Sequence, residues 1–184
     1  MDIGYPDVVP AAMPWKSTFD HRELVACGNG TFAPGLPMLP RGKMLMFHDI
    51  IDARPTGGKF GMGFIRATFK IDPTLWFFGE HFKDDPVMPG CLGLDALWQL
   101  LGFFMVISGA RGKGRAIGVG EVKFSKEILP EHHLVTYDVV VKRLIKGNDK
   151  KPWLAVGDGY VRRDGETIYT AKDLKVGVFP KTIG

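Results

Sequence analysis

Asp95 and Gln99 are the strongly polar residues inside Leu94–Ile107, an otherwise apolar run. Four positions apart, they share one face of a helix. Burying a carboxyl among apolar neighbours costs several kcal/mol unless it is partnered or stays protonated. Asp95 is therefore either a candidate acid or a first-turn carboxylate that complements the helix dipole near the surface. Upstream, His81 follows Leu75-Trp76-Phe77-Phe78-Gly79-Glu80 and is the one histidine set in an aromatic cluster. A neutral imidazole there suits general-base work; a core histidine held by a backbone carbonyl is the plainer reading. Between the two, Pro86, Pro89 and Gly90 stiffen the approach to the helix and fix the direction of the Gly90 and Cys91 amides. Free N–H groups at a helix start can stabilise a developing oxyanion.

Other candidates carry less. Cys91 could act as a nucleophile, although a small buried hydrophobe is the commoner role. Lys142, Arg143 and Lys146, with Lys150 and Lys151, form a basic stretch around a turn. A solvated face is the ordinary reading, and a dock for an acidic partner the sharper one. The glycines give neither GxGxxG nor GxxxxGK[ST], and no HExxH or CxxC occurs. Nucleotide, metal and cofactor are accordingly not expected. Cys27 and Cys91 are expected to be free thiols.

These residues need a scaffold. The chain has 184 residues, 45% hydrophobic, 24% charged and 11% aromatic. That suits one domain with a true core and excludes a disordered chain. A net charge of +4 is too weak to argue for nucleic acid but is compatible with an acidic partner. The N-terminus lacks the basic and apolar regions of a signal peptide. Leu94–Ile107 falls short of the ~20 residues of a bilayer span. No membrane association is expected, and the location expected is cytoplasmic.

Residues 1–17, with Pro6, Pro10 and Pro14, read as an irregular arm before a single domain over 18–184. Asp20-His21-Arg22-Glu23 is a capping box opening a short helix that Gly28-Asn29-Gly30 should end. Residues 29–43 and 74–93 read as loops, and Met44–Ile51 as a strand. In Phe60–Ile71 the apolar phase slips between Phe64 and Ile65, which suggests a bulge. Four further strands are expected: Arg115–Ser125, Leu134–Ile145, Trp153–Arg163 and Thr167–Phe179. Asp164-Gly165 turns the last hairpin, and Gly147-Asn148-Asp149 marks another connection. A helix apolar around nearly its whole circumference must be buried on all sides. One helix enclosed by a mostly antiparallel sheet meets that need, so the fold class is α+β.

The segment from His81 through Pro89-Gly90-Cys91 to Asp95 and Gln99 resembles the bacterial 3-hydroxydecanoyl-acyl-carrier-protein dehydratase/isomerase family, which are hot-dog-fold enzymes of fatty-acid synthesis. The likeness runs over roughly residues 18–180. It includes Leu75-Trp76-Phe77-Phe78, Gly118-Val119-Gly120-Glu121-Val122-Lys123-Phe124 and Asp173-Leu174-Lys175-Val176-Gly177. The resemblance implies that His81 abstracts a C2 proton from a 3-hydroxyacyl thioester and that Asp95 assists departure of the hydroxyl as water. It implies an oxyanion donor at Gly90 and a substrate-binding surface that includes Cys91, Val87, Phe82 and Trp98. It also implies an acyl-carrier-protein partner, with contacts expected at Lys142, Arg143 and Lys146. The expected assembly is a homodimer whose sites take His81 from one subunit and Asp95 from the other.

Relatives without isomerase activity carry Glu at this position, so Asp95 favours the bifunctional group that also converts trans-2 to cis-3 enoyl product. His48-Asp49 stands where an Asp-Arg pair is usual, and the loop Lys146–Pro152 is longer than the pattern. Two other readings are a hot-dog thioesterase, since fold alone does not fix a reaction, and a non-catalytic acyl-binding module in which His81 and Asp95 are structural.

Overall fold

The computed structural model describes residues 15–180. The arm expected over 1–17 lies mostly outside the described residues. Helix α1 (His21–Gly28) opens as its sequence dictates: Asp20 accepts from the Glu23 amide, and Glu23 returns the bond to the Asp20 amide. A short helix α2 (Trp76–Glu80) and the long α3 (Gly90–Ile107) complete the α-helices. Seven strands follow the chain as β1 (Asp49–Arg54), β2 (Phe64–Lys70), β3 (Lys113–Gly118), β4 (Glu121–Phe124), β5 (Leu134–Ile145), β6 (Trp153–Arg163) and β7 (Glu166–Phe179). They form one antiparallel sheet in the order β1-β2-β5-β6-β7-β3, with β4 also on β7.

β5, β6 and the β6–β7 hairpin lie where alternation and the Asp164-Gly165 turn place them. Both turn residues have positive φ, 47° and 91°, as a type I′ turn requires. Elsewhere non-local contacts decide. Met44–Ile51 is not one strand: a 3₁₀ turn takes Gly42–Met44, and β1 starts only at Asp49. Between them only the His48 amide reaches the neighbouring strand, at the Thr68 carbonyl (2.8 Å), and two backbone groups bond to a side chain. Gln99 Nε2 donates to the Met44 carbonyl (2.8 Å) and the Met46 amide donates to Gln99 Oε1 (3.1 Å).

The phase slip at Phe64 is the start of β2 and not a bulge. Phe60 and Met62 lie exposed in the preceding loop, and the irregular register is on β1 between Ile50 and Asp52. Arg115–Ser125 divides into β3 and β4 because β7, 14 residues long, pairs both. The break faces Asp173, whose φ is +55°.

Helix α3 runs 18 residues, starting four positions earlier than the apolar run suggests. Its length and hydropathy would suffice for a membrane span, but two-thirds of it (67%) is buried inside the protein. Leu97, Leu100, Leu101, Phe103, Phe104 and Met105 are buried against the sheet. Burial is not complete around the helix, however. Cys91, Leu94, Asp95, Trp98 and Gly102 remain partly or fully accessible, and at this spacing they form one stripe. The sheet wraps three sides and leaves that stripe open.

Tyr137 on β5 is fully buried, and its hydroxyl has no hydrogen-bond partner among the described residues. Burial also raises its pKa strongly. An orphaned buried hydroxyl costs about 1–3 kcal/mol. Tyr137→Phe should therefore raise unfolding stability by about 1 kcal/mol in a urea titration. A loss of stability would mean that the hydroxyl is satisfied, for example through a buried water.

His48 works as a neutral ring. It stacks on Phe69 (centroids 4.7 Å, 5° between planes), and its Nδ1 accepts from the Lys70 amide at 3.0 Å. Burial, then the neighbouring His21, hold its pKa below 6.5; Asp49 opposes them and Lys70 adds to them. The unfolded chain thus binds the proton more tightly. Stability from His48 is present above pH 6.5 and is lost as pH falls past that value and through the lower folded pKa. The melting temperature should decline on acidification across this window. In His48→Asn, which keeps an acceptor for Lys70, the decline should be shallower.

Candidate active site

His81 ends α2, where its amide donates to the Phe77 carbonyl (2.9 Å). The chain then reverses through Phe82–Asp85, whose two residues exchange backbone bonds of 2.8 and 3.1 Å. Val87 returns alongside His81. Its amide donates to the His81 carbonyl (2.8 Å), and its own carbonyl lies 2.9 Å from His81 Nδ1. A carbonyl can only accept, so Nδ1 carries the hydrogen and Nε2 of the neutral ring is left with its lone pair. A histidine held by a backbone carbonyl in this way keeps one ring nitrogen free to accept a hydrogen bond. His81 is half-buried, and its ring lies on that of Phe82 (3.8 Å), which is 54% exposed.

The same segment delivers the start of α3. Pro89 supplies no side-chain cap, so the first amides of the helix, Gly90 and Cys91, have no intrahelical partner. Gly90 is required by packing: a Cβ there would meet the Phe124 ring at 2.8 Å. Phe124 in turn packs edge-on against Tyr169 (4.8 Å), over Gly93. Cys91 is exposed and free, whereas Cys27 is buried and free, its thiol pKa raised by burial.

Asp95 lies in the second turn of α3, away from the first-turn dipole position. Its Oδ2 accepts from Gln99 Nε2 at 2.6 Å. Gln99 is itself fixed by Met44 and Met46, so its amide orientation is determined by three partners at once. Gln99 was visible in the sequence as the i+4 neighbour; its role as the clamp was not.

A cleft of about 390 Å³ opens beside the carboxyl. One wall is the α3 face Asp95, Trp98, Gly102 and Val106, another is the loop Pro37–Pro40, and the third comes from β3 and β7. Trp98 is pinned there by donation to the Gly118 carbonyl (3.0 Å). The loop wall and Arg115, exposed at the β3 rim, did not stand out as site residues because neither belongs to a chemical motif. His81, Phe82 and Val87 do not line this cleft. Within one chain, His81 is not among the residues that share this cleft with Asp95.

The basic stretch differs from expectation at Lys142. Its ammonium lies 2.8 Å from both Asp158 and Asp173, which hold it protonated by raising its pKa and offset its charge toward any partner. Arg143 and Lys146 are exposed. Among the described residues, no three His, Cys, Asp or Glu side chains converge as metal ligands would.

A long helix wrapped on three sides by an antiparallel sheet, with an uncapped helix start beside a histidine, defines a hot-dog domain. Residues 39–172 match the family model described as the FabA-like domain. The chain belongs to that family, whose domains are of the dehydratase type. Among solved structures it is similar to the dehydratase heterocomplex ApeI:P from Xenorhabdus doucetiae. That match has 14% identity, 78% of this chain and 89% of that chain covered, and a TM-score of 0.57. It is also similar to a thioesterase from Haemophilus influenzae, with 11% identity, 72% and 82% covered, and a TM-score of 0.48. At 14% identity the likeness to the dehydratase complex is one of fold.

Proposed function

We propose that residues 18–184 act as a dehydratase on 3-hydroxydecanoyl thioesters of an acyl-carrier protein, and that the same site isomerises the trans-2 enoyl product to cis-3. The observation that carries this is His81, with its Nδ1–H committed to Val87 and Nε2 left as acceptor next to an uncapped helix start.

Three chemical needs are then met. Nε2 removes the weakly acidic C2 proton. The Gly90 amide, with Cys91 beside it, donates to the thioester oxygen as charge develops there. The C3–O bond breaks, the hydroxyl leaves as water with a proton from Asp95, and the proton that His81 took from C2 returns to Asp95 through solvent, which restores both groups. For isomerisation, a proton leaves C4 and one is returned to C2, with His81 as the carrier.

Because His81 does not line the cleft of its own Asp95, we assign the working site to two copies, each supplying one of the pair. The exposed Phe82 and Phe124 are available to that contact. Trp98 and the cleft beyond it would take the acyl chain. For an acidic carrier, Arg115 at the cleft rim is better placed than Lys142, whose charge Asp158 and Asp173 offset.

The test is a product assay with 3-hydroxydecanoyl-acyl-carrier protein. Both enoyl isomers are expected. Trans-2 product alone would remove the isomerase, free acid would mean thioesterase chemistry, and no turnover by a folded dimer would mean a binding module.

A further inference from the structure

A second cavity, of about 770 Å³, opens at the far end of α3 from Asp95. That volume lies within the range of small-molecule sites. Its walls are apolar: Trp15, Leu36, Phe104, Leu144 and Trp153 face it. Trp15 is held there by donation to the Ala53 carbonyl (3.0 Å) and by edge-on packing against Phe104 (5.7 Å). Its one polar hydrogen is thereby used, leaving carbon surface toward the cavity.

The charged residues lining it are Arg111 and Lys146, both exposed, with no carboxylate beside them in the wall. Among the described residues neither cation is in an ion pair. Arg111 has one donor on the Pro34 carbonyl (3.1 Å), and its guanidinium has others free. An apolar chamber with two unneutralised cations fits an occupant with one hydrocarbon chain and one anionic end. A cation without a carboxylate partner attracts such a head, while the aromatic walls exclude water from the tail. The loop that begins at Lys146 forms part of this end of the molecule.

We propose that this cavity binds a free medium- or long-chain fatty acid, with its carboxylate at Arg111 and Lys146 and its chain among Trp15, Leu144 and Trp153. The site is separate from the cleft at Asp95; the two have only Val106 of α3 in common.

The experiment is calorimetric titration of the full chain with decanoate, laurate and myristate, and with methyl laurate as the uncharged control. One saturable site is expected, tightening by about fourfold for each added methylene that stays inside the cavity. Methyl laurate should bind about tenfold more weakly, as should laurate to the Arg111→Glu/Lys146→Glu variant, through loss of a charge-assisted contact. The single variants Arg111→Ala and Lys146→Ala, both at exposed positions, should each give part of that loss and serve if the double variant fails to fold.

Gly102→Phe, which fills the Asp95 cleft, should leave laurate binding unchanged. Binding abolished by Gly102→Phe and indifferent to charge reversal would overturn the proposal by placing the fatty acid in the cleft. Absence of binding up to the solubility limit would overturn it as well. So would binding seen only after removal of residues 1–14, because the cavity would then belong to that segment.

Discussion

Replacing His81 with asparagine is expected to lower dehydratase turnover by about a thousandfold, within the range for losing a positioned general base. Asparagine is the informative choice because its side-chain amide can still donate to the Val87 carbonyl that holds the ring now. The turn Phe82–Asp85 and the start of α3 should therefore stay in place, and the melting temperature should move little. What disappears is the Nε2 lone pair. The fall should appear in kcat with KM nearly unchanged, since the acyl surface is untouched. His81→Ala removes the same base together with the bond to Val87, which adds a stability loss of about 1 kcal/mol. Wild-type-like turnover in the asparagine variant would remove His81 from the chemistry and leave it as a structural residue.

The second large effect is recovery of activity from two dead proteins. Asp95→Asn keeps an oxygen to accept from Gln99, so the clamp through Met44 and Met46 should survive, while the proton for the departing hydroxyl is lost. Alone, this variant should be nearly as inactive as His81→Asn. If each site takes its base from one subunit and its acid from the other, a mixed dimer has one doubly defective site and one intact site. Equal mixing after subunit exchange should then restore about a quarter of wild-type activity, from half the dimers being mixed and half their sites intact. The measurement is turnover of each variant before and after co-refolding. No recovery, with mixed dimers demonstrated by tagged copies, would place acid and base in the same subunit. Subunit exchange reads the geometry of the pair independently of which product forms.

The features legible from the residues alone are those set by short-range chemistry. The α1 cap is a bond pattern within four residues, and the Asp164-Gly165 turn needs two residues that tolerate positive φ. β5 and β6 need only alternation on a half-buried surface. Asp95 and Gln99 are neighbours because a helix places i and i+4 together, and His81 stood out because its surroundings are aromatic.

Whatever depended on a distant partner became visible only in the folded chain. Met44–Phe47 reads as strand by composition, but its Met44 carbonyl and Met46 amide bond to Gln99, more than fifty positions away. Phe124 and Tyr169 reach Gly90 and Gly93 only after the sheet has formed, so the true start of α3 is invisible to the apolar pattern. The exposed stripe on that helix likewise exists because the sheet stops short of enclosing it. Lys142 looks like its basic neighbours until Asp158 and Asp173, from two other strands, converge on it. His81 acquires its tautomer from Val87 by a reversal of the chain. Periodicity and local caps encode where backbone and apolar surface go, but the state of an individual polar group is fixed by the partner that folding brings to it.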